Sequence, residues 1–204
     1  MVSLCLDNPP AIDCYSVPFP IRRFSVEEYE SMARNGILDE DDNVELLEGW
    51  IVPKLTKNPF HECVISLLQQ CLGSRVTGYH VRIQSAISTS DSEPEPDLAV
   101  VRGTPRDYRL RHPQPADIAL IIEVADSSLV RDRIKRRIYA RARITHYWIV
   151  NLPELCVEVY GDPVGAENAH YQTGLQYSPE DTLEAALADD LRITLPVSEF
   201  LTRS

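Results

Sequence analysis

The sequence predicts an α/β domain with one central sheet and flanking helices. Apolar runs of strand length alternate with amphipathic segments of helix length along the 204 residues, and this mixed order is typical of a sheet covered by helices. The composition, 44% hydrophobic and 25% charged, is sufficient for one substantial core. We expect an extended or partly disordered proline-containing leader over residues 1–22 and a single domain over residues 23–204.

The first elements are identified by the residues at their ends. Ser25 begins a capping-box pattern, and Gly36 suits the position just past a short helix. Residues 44–52 predict one strand, or two strands joined by a bend at Gly49. A second helix begins at Asn58, which can cap it, and its apolar stripe is expected to face the core.

Further along the chain, strands and one basic helix are expected. The remaining predicted strands cover residues 79–87, 97–102, 118–124, 146–150 and 156–160. A helix around residues 131–143 follows the third of these strands, and its apolar residues are expected to face inward. They are Leu129, Ile134, Ile138 and Ala142. Residues 161–204 are expected to mix turns with a weakly amphipathic ending.

The charge distribution allows two interpretations of that helix. The chain has a net charge of -11, which argues against a protein that coats nucleic acid by bulk attraction. Between Arg131 and Arg143, however, seven basic residues accompany a single acid. This segment is either a helix that faces phosphate or a solvated helix face with some partner contacts, and the sequence leaves both open.

Several classes of protein are disfavoured by what the sequence lacks. No stretch approaches the roughly 20 apolar residues that span a bilayer, and no signal peptide is recognisable, so we expect a cytoplasmic protein without membrane contact. The five cysteines form no CxxC pair, which argues against a disulfide framework or a structural zinc site. No glycine-rich loop of the nucleotide-binding types is present.

Asp97 and Glu123 are the most informative candidate site residues. Asp97 begins one apolar strand and Glu123 lies near the end of another, so antiparallel pairing would place the two acids together. Two buried like charges are costly unless a cation or a shared proton compensates them. Because Mg²⁺ prefers carboxylate, carbonyl and water oxygen, a divalent metal site is our first hypothesis. Lys135, in the following helix, could neutralise charge on a phosphoryl group.

An ordered set of short motifs lies between about Phe24 and Phe200. These are 45-ELLEG-49, 94-PEPDLAVV-101, 122-IEVADSS-128, the series Asp132, Lys135 and Tyr139-Ala140, and 146-HYWIV-150. In these motifs the chain resembles the Uma-two family of bacterial restriction-endonuclease-like proteins, within the PD-(D/E)XK nuclease superfamily. The resemblance implies a restriction-endonuclease-like core with a central mixed sheet.

The resemblance also implies roles for particular residues. Asp97 and Glu123 would hold the metal, Lys135 would be the catalytic lysine, and Glu45 would be an additional acid. Two residues after Glu123, where the superfamily lysine is usual, this chain has Ala125. The resemblance implies that the lysine has moved to the following helix. Small nucleases of this fold commonly work in pairs, so a homodimer is expected.

We therefore expect a Mg²⁺-dependent endonuclease that hydrolyses DNA phosphodiester bonds, with Mn²⁺ as the alternative metal. The competing hypothesis is an inactive nuclease fold that serves as a binding module for nucleic acid or protein. A third hypothesis, sugar hydrolysis by two carboxylates, has little support because only 7% of the residues are aromatic and no tryptophans cluster.

The other polar and aromatic candidates have weaker support. Glu45 is as consistent with a functional role as with an exposed turn, and Glu48 is less so. His61, in the first turn of the second helix, is interpreted as a surface residue, with a position in a cleft as the alternative. Tyr139 and Trp148 are expected to pack in the core or against the sheet.

Overall fold

The structure, a computed structural model, describes residues 2–3, 20–165 and 168–202. The helices are α1 (Val26–Arg34), α2 (Pro59–Gly73) and α3 (Leu129–Arg141). The strands are β1 (Val2–Ser3), β2 (Val44–Leu47), β3 (Trp50–Pro53), β4 (Tyr79–Ile83), β5 (Leu98–Arg102), β6 (Ile118–Ala125), β7 (Tyr147–Asn151), β8 (Cys156–Val164), β9 (His170–Tyr177), β10 (Thr182–Ala188) and β11 (Leu191–Pro196). Most of the predicted leader lies outside the described residues, so its extended or disordered character stays a prediction.

One mixed sheet forms the centre of the protein, in the order β1-β9-β8-β7-β6-β5-β4. Strands β6 and β7 are parallel and are connected by α3, whereas the other described pairs in this sheet are antiparallel. Parallel neighbours need a crossover connection, which explains why a helix lies between β6 and β7 in the sequence. The predicted α/β fold with a central mixed sheet is confirmed.

One face of the sheet is covered by α2 and by the hairpin of β10 and β11. Leu68 and Leu72 of α2 belong to the same buried cluster as Leu120 and Ile122 of β6. Burying each such side chain contributes about 1.5–3 kcal/mol relative to leaving it exposed. No helix within the described ranges is long and apolar enough to cross a membrane.

Helix α3 covers the opposite face through a layer of tyrosines. Tyr139 packs on Tyr147 with ring centroids 4.8 Å apart, and Tyr160 and Tyr171 extend the cluster across β8 and β9. Alternate side chains of a strand point to the same face, so Glu123 lies on this face together with the residues two positions before and after it in β6. Glu123, one of the two candidate metal ligands, therefore faces α3.

A separate hairpin, β2 and β3, carries Glu45. Its two turn residues, Glu48 and Gly49, have φ of 50° and 78°, as a type I′ turn requires. The second of the two predicted alternatives, two strands with a bend at Gly49, is therefore confirmed. The Glu93 amide donates to the Leu46 carbonyl at 2.8 Å and joins this hairpin to the segment that leads into β5.

The prediction of which α3 residues face inward is only partly right. Ile138 is buried, but the fully buried positions of the helix also include Asp132 and Lys135, whereas Leu129 and Ile134 are only half-buried. The reason is electrostatic, because charged side chains can be buried when opposite charges meet them, and a hydrophobic pattern does not detect such partners.

The prediction for residues 161–204 was wrong in its main point. Residues that we expected to form turns and an amphipathic ending form the end of β8, after Tyr160, and all of β9, β10 and β11. In the last hairpin Leu183 and Leu187 are buried, as are Leu191, Ile193 and Leu195. The last three of these residues are spaced by two, which is the strand period and indicates a half-buried hairpin rather than a helix.

The basic run of α3 is used mainly inside the protein. Arg133 donates to Glu158 of β8, and Arg137 and Arg141 both donate to Glu48 in the hairpin turn. Arg141 also donates to Asp91 at 2.7 Å. Of the two open interpretations, the structure favours a helix face with partner contacts, and the partners are acids of the same chain.

We expect Glu48→Gln to destabilise the protein by about 1–3 kcal/mol, because it leaves two guanidinium groups without their shared carboxylate. Burial disfavours the charge of Glu48, but hydrogen bonds from Arg137 and Arg141 outweigh burial and lower its pKa below the ordinary 4.5. A lowered folded-state pKa stabilises the protein above the unfolded pKa. The difference in unfolding free energy from wild type should therefore be constant near neutral pH and shrink as the pH falls below about 4.5.

Urea denaturation at a series of pH values measures this difference. Glu184→Gln, at an exposed position of β10, serves as the control and should remain within about 0.5 kcal/mol of wild type. A Glu48→Gln deficit that persists unchanged at pH 3 would contradict the assignment of the effect to the Glu48 charge.

Candidate active site

The antiparallel pairing of β5 with β6 brings the two predicted metal ligands side by side. Leu98 pairs with Ile122, so the residue before Leu98 and the residue after Ile122 are neighbours. The Asp97 amide donates to Glu123 Oε2 at 3.2 Å, and the Val124 amide donates to Asp97 Oδ2 at 2.9 Å. The two acids therefore meet as the strand pattern predicts.

Lys135 reaches the same site from α3. Its Nζ donates to Glu123 Oε1 at 3.1 Å and to the Glu45 carboxylate at 3.2 Å. Burial disfavours its charge, but Glu123, Glu45 and Asp132 raise the pKa of Lys135 above its ordinary value. Lys135 is therefore an ammonium group at neutral pH. Glu45 enters the site through this lysine, and its carboxylate also accepts from the Glu95 amide at 3.2 Å.

The site contains more buried acid than buried base. Glu45, Asp97, Glu123 and Asp132 are all buried around the ammonium of Lys135, the one buried lysine among the residues that the structure describes. Burial raises the pKa of Glu123 to about 8, although Lys135 opposes the shift. Burial also raises the pKa of Asp132 to about 6. Both shifts come mainly from burial, and the neighbouring acids add to them.

His61 contacts the site, so its interpretation as a surface residue is wrong. Its side chain is 8% exposed, and Nε2 lies 3.1 Å from Asp97 Oδ2. The Asn58 side chain caps α2 by accepting from the His61 amide, which places the first turn of α2 against the site. Burial disfavours the charge of Asp97, but the contact with His61 and the Val124 amide lower its pKa.

Two residues of α3 complete the contacts. Tyr139 is fully buried, as predicted, and its hydroxyl donates to Glu123 Oε1 at 2.9 Å. Asp132, which we did not single out as a site residue, is buried and accepts from the Ser128 hydroxyl at 2.5 Å. The spacing of both residues in the sequence could have identified them as site residues, because residues three and four positions from Lys135 share its helix face.

The acids, His61 and Lys135 line a cavity of about 230 Å³. Besides Lys135, the basic side chains Lys54, Lys57 and Arg131 also line it. The starts of α2 and α3 also line it, through Asn58 and Ser128. An acidic floor with basic groups and helix N-termini around it suits an anion that is bound together with a cation.

The donor set fits a hard divalent cation that keeps part of its own hydration. Within the described ranges, no group of three or more His, Cys, Asp or Glu side chains is arranged to hold a metal ion. Mg²⁺, however, is commonly bound through one or two carboxylates, with water and substrate phosphate completing its coordination. Asp97 and Glu123 supply two adjacent carboxylates in a site with excess negative charge, so they fit Mg²⁺ or Mn²⁺ better than a metal that needs a full protein cage.

Comparisons with known proteins agree with this architecture. The family model Uma2, described as "Putative restriction endonuclease", matches residues 26–197. The crystal structure of a "putative nuclease belonging to DUF820" from Anabaena variabilis superposes with a TM-score of 0.66 at 16% identity, over 89% of this chain and 97% of that chain. A search of curated proteins finds no match.

The match to the family model extends from the first residue of α1 to the 3-10 turn that follows β11, and so it includes every candidate site residue named above. At 16% identity, the structural match establishes the fold alone. From the extent of the family match and the shared fold, we conclude that this chain belongs to the Uma2 family of restriction-endonuclease-like proteins.

Proposed function

We propose that this protein is a divalent-cation-dependent endonuclease that hydrolyses DNA phosphodiester bonds. The observation that carries the proposal is the buried pair Asp97 and Glu123 beside the ammonium of Lys135, at an open cavity. The description of the family and that of the structural neighbour both support nuclease chemistry.

In this proposal Asp97 and Glu123 hold the cation, Mg²⁺ or Mn²⁺. When bound, such a cation supplies Lewis acidity and lowers the pKa of water for attack on phosphorus. His61 and Tyr139 are positioning residues, because each contacts one oxygen of a carboxylate and fixes its orientation. The Asp97 and Val124 amides hold the two carboxylates to the sheet in the same way.

Lys135 is proposed to stabilise negative charge on the phosphoryl group. An ammonium has three donors, and Glu123 and Glu45 accept from two of them, so the third is available to the cavity that Lys135 lines. Ala125, at the position usual for the superfamily lysine, is buried in the core. Because Lys135 reaches the Glu123 carboxylate from α3, its location supports the proposed shift of the lysine.

The competing proposal is a binding module that keeps the fold without catalysis. It is favoured by the internal pairing of the α3 basic residues, which leaves this helix poorly suited to contact DNA along its length. The homodimer expected from the family resemblance belongs to the nuclease proposal, because cleavage of both strands of a duplex requires two sites. Cleavage assays separate the two proposals directly.

We expect Asp97→Asn to reduce DNA cleavage by at least about 1,000-fold, because it removes the charge of one proposed metal ligand while keeping the side-chain shape. The measurement is cleavage of supercoiled, linear and single-stranded DNA, with RNA in parallel. The assay contains about 5–10 mM Mg²⁺ or Mn²⁺, so that a weak Mg²⁺ site is saturated. Asp162→Asn, at an exposed position of β8, is the matched control. Wild-type rates in the Asp97→Asn variant would exclude the proposed site, and no cleavage by wild type would favour the binding module.

We expect Mn²⁺ or Mg²⁺ to raise the melting temperature of the wild-type protein. A ligand at 100 times its Kd stabilises the folded state by about 2.7 kcal/mol, since it binds the folded state alone. The increase should disappear in Asp97→Asn and in Glu123→Gln, because each loses one carboxylate. An equal increase in all three proteins would locate the cation elsewhere.

We expect Lys135→Gln to reduce kcat by at least about 100-fold at saturating metal, because it removes the positive charge next to the phosphoryl group. The metal-induced increase in melting temperature should persist, since both carboxylates remain. Arg192→Gln, an exposed change on β11, is the control. Full activity of Lys135→Gln would show that the lysine is structural.

A further inference from the structure

The two oxygens of Asp97 have different surroundings. Oδ2 accepts from the Val124 amide at 2.9 Å and lies 3.1 Å from His61 Nε2. Oδ1 faces the Lys57 ammonium, whose Nζ is 3.4 Å away. Because an oxygen that already accepts two hydrogen bonds has little remaining capacity, Oδ1 is the oxygen of Asp97 that is available to a metal ion.

Lys57 is held much less firmly than the buried lysine of the site. Lys135 is 6% exposed and pairs with both Glu123 and Glu45. The Lys57 side chain is 33% exposed, lies in the connection between β3 and α2, and forms its one ion pair within the described residues with Asp97. A lysine is a hydrated point charge on a flexible stem, so Lys57 can leave Asp97 without breaking a second ion pair.

We propose that Lys57 is a displaceable counter-ion of the active site. In the metal-free protein it neutralises Oδ1 of Asp97, and when a divalent cation binds there it moves to the phosphate of the substrate. This inference rests on the proposed function. The two positive charges compete for the same oxygen and repel each other, so occupancy by one weakens the binding of the other.

The substrate phosphate is a suitable destination for the displaced ammonium. Lys57 directly precedes Asn58, the N-cap of α2, and both line the cavity that contains Asp97. The start of a helix favours an anionic group, so a phosphate near the metal would meet the Asn58 end of α2 and Lys57 from one side. Lys57 then contributes positive charge to the bound substrate instead of to Asp97.

The experiment is calorimetric titration of Mn²⁺ into the wild-type protein and the variants Lys57→Met, Lys54→Met and Asp97→Asn, at one pH and one ionic strength. Lys54 is the matched control because it lines the same cavity with similar exposure, but it pairs with Glu95, at 2.8 Å, instead of Asp97. We expect Lys57→Met to bind Mn²⁺ at least about tenfold more tightly than wild type, and Lys54→Met to differ from wild type by less than about threefold.

The second measurement is DNA cleavage at a Mn²⁺ concentration that saturates each protein. Lys57→Met should then lose at least about tenfold in kcat/KM relative to wild type, because the substrate phosphate has lost its ammonium partner. Circular dichroism and the melting temperature establish that each variant is folded. The combination of tighter metal binding with slower cleavage is not expected from a purely structural role.

Each other outcome overturns a defined part of the proposal. Equal Mn²⁺ affinity of Lys57→Met and Lys54→Met would overturn the counter-ion role and leave the proposed nuclease function intact. Tighter metal binding with unchanged kcat/KM would overturn the transfer to phosphate. If the wild type binds no Mn²⁺, or has the same Mn²⁺ affinity as Asp97→Asn, both this inference and the metal site of the proposed function are overturned.

Discussion

The Nζ atom of Lys135 lies between the carboxylates of Glu123 and Glu45, and this buried contact constrains the elements that surround it. A charge taken out of water must be paired, so α3 has to lie against β6 and the hairpin of β2 and β3 has to close over both. The turn of that hairpin is held to α3 again by Glu48, which is paired with the two arginines that lie two and six residues after Lys135. The same helix therefore positions the candidate catalytic residue and the strand that supports it.

Around this contact, hydrogen bonds fix the orientation of the Asp97 and Glu123 carboxylates. His61 and the Val124 amide hold one oxygen of Asp97, and Tyr139 with Lys135 holds one oxygen of Glu123. Burial and the neighbouring acids raise the pKa of Glu123, so the charged form of this carboxyl group is disfavoured.

The basic residues of α3 show how misleading a charge pattern can be when its partners are distant in sequence. Arg133 and Glu158 are separated by 25 positions, and Arg137 and Glu48 by 89. From the sequence, such a run is equally consistent with contact to phosphate. In the folded chain Arg133, Arg137 and Arg141 support the hairpin and β8. Positive charge at the cavity comes from the other members Arg131 and Lys135 and from the connection before α2.

The sequence by itself determined the α/β class, the bounds of most elements up to β8, and the meeting of Asp97 with Glu123, because each depends on local periodicity and on adjacent antiparallel strands. It did not reveal the strands after β8, whose alternation is short and interrupted by turns. Only the tertiary structure decided that His61 contacts Asp97, that the basic run is paired internally, and that Lys57 faces Oδ1. These are contacts between side chains far apart in the chain, and the energy of burying a charge depends on partners that no local pattern specifies.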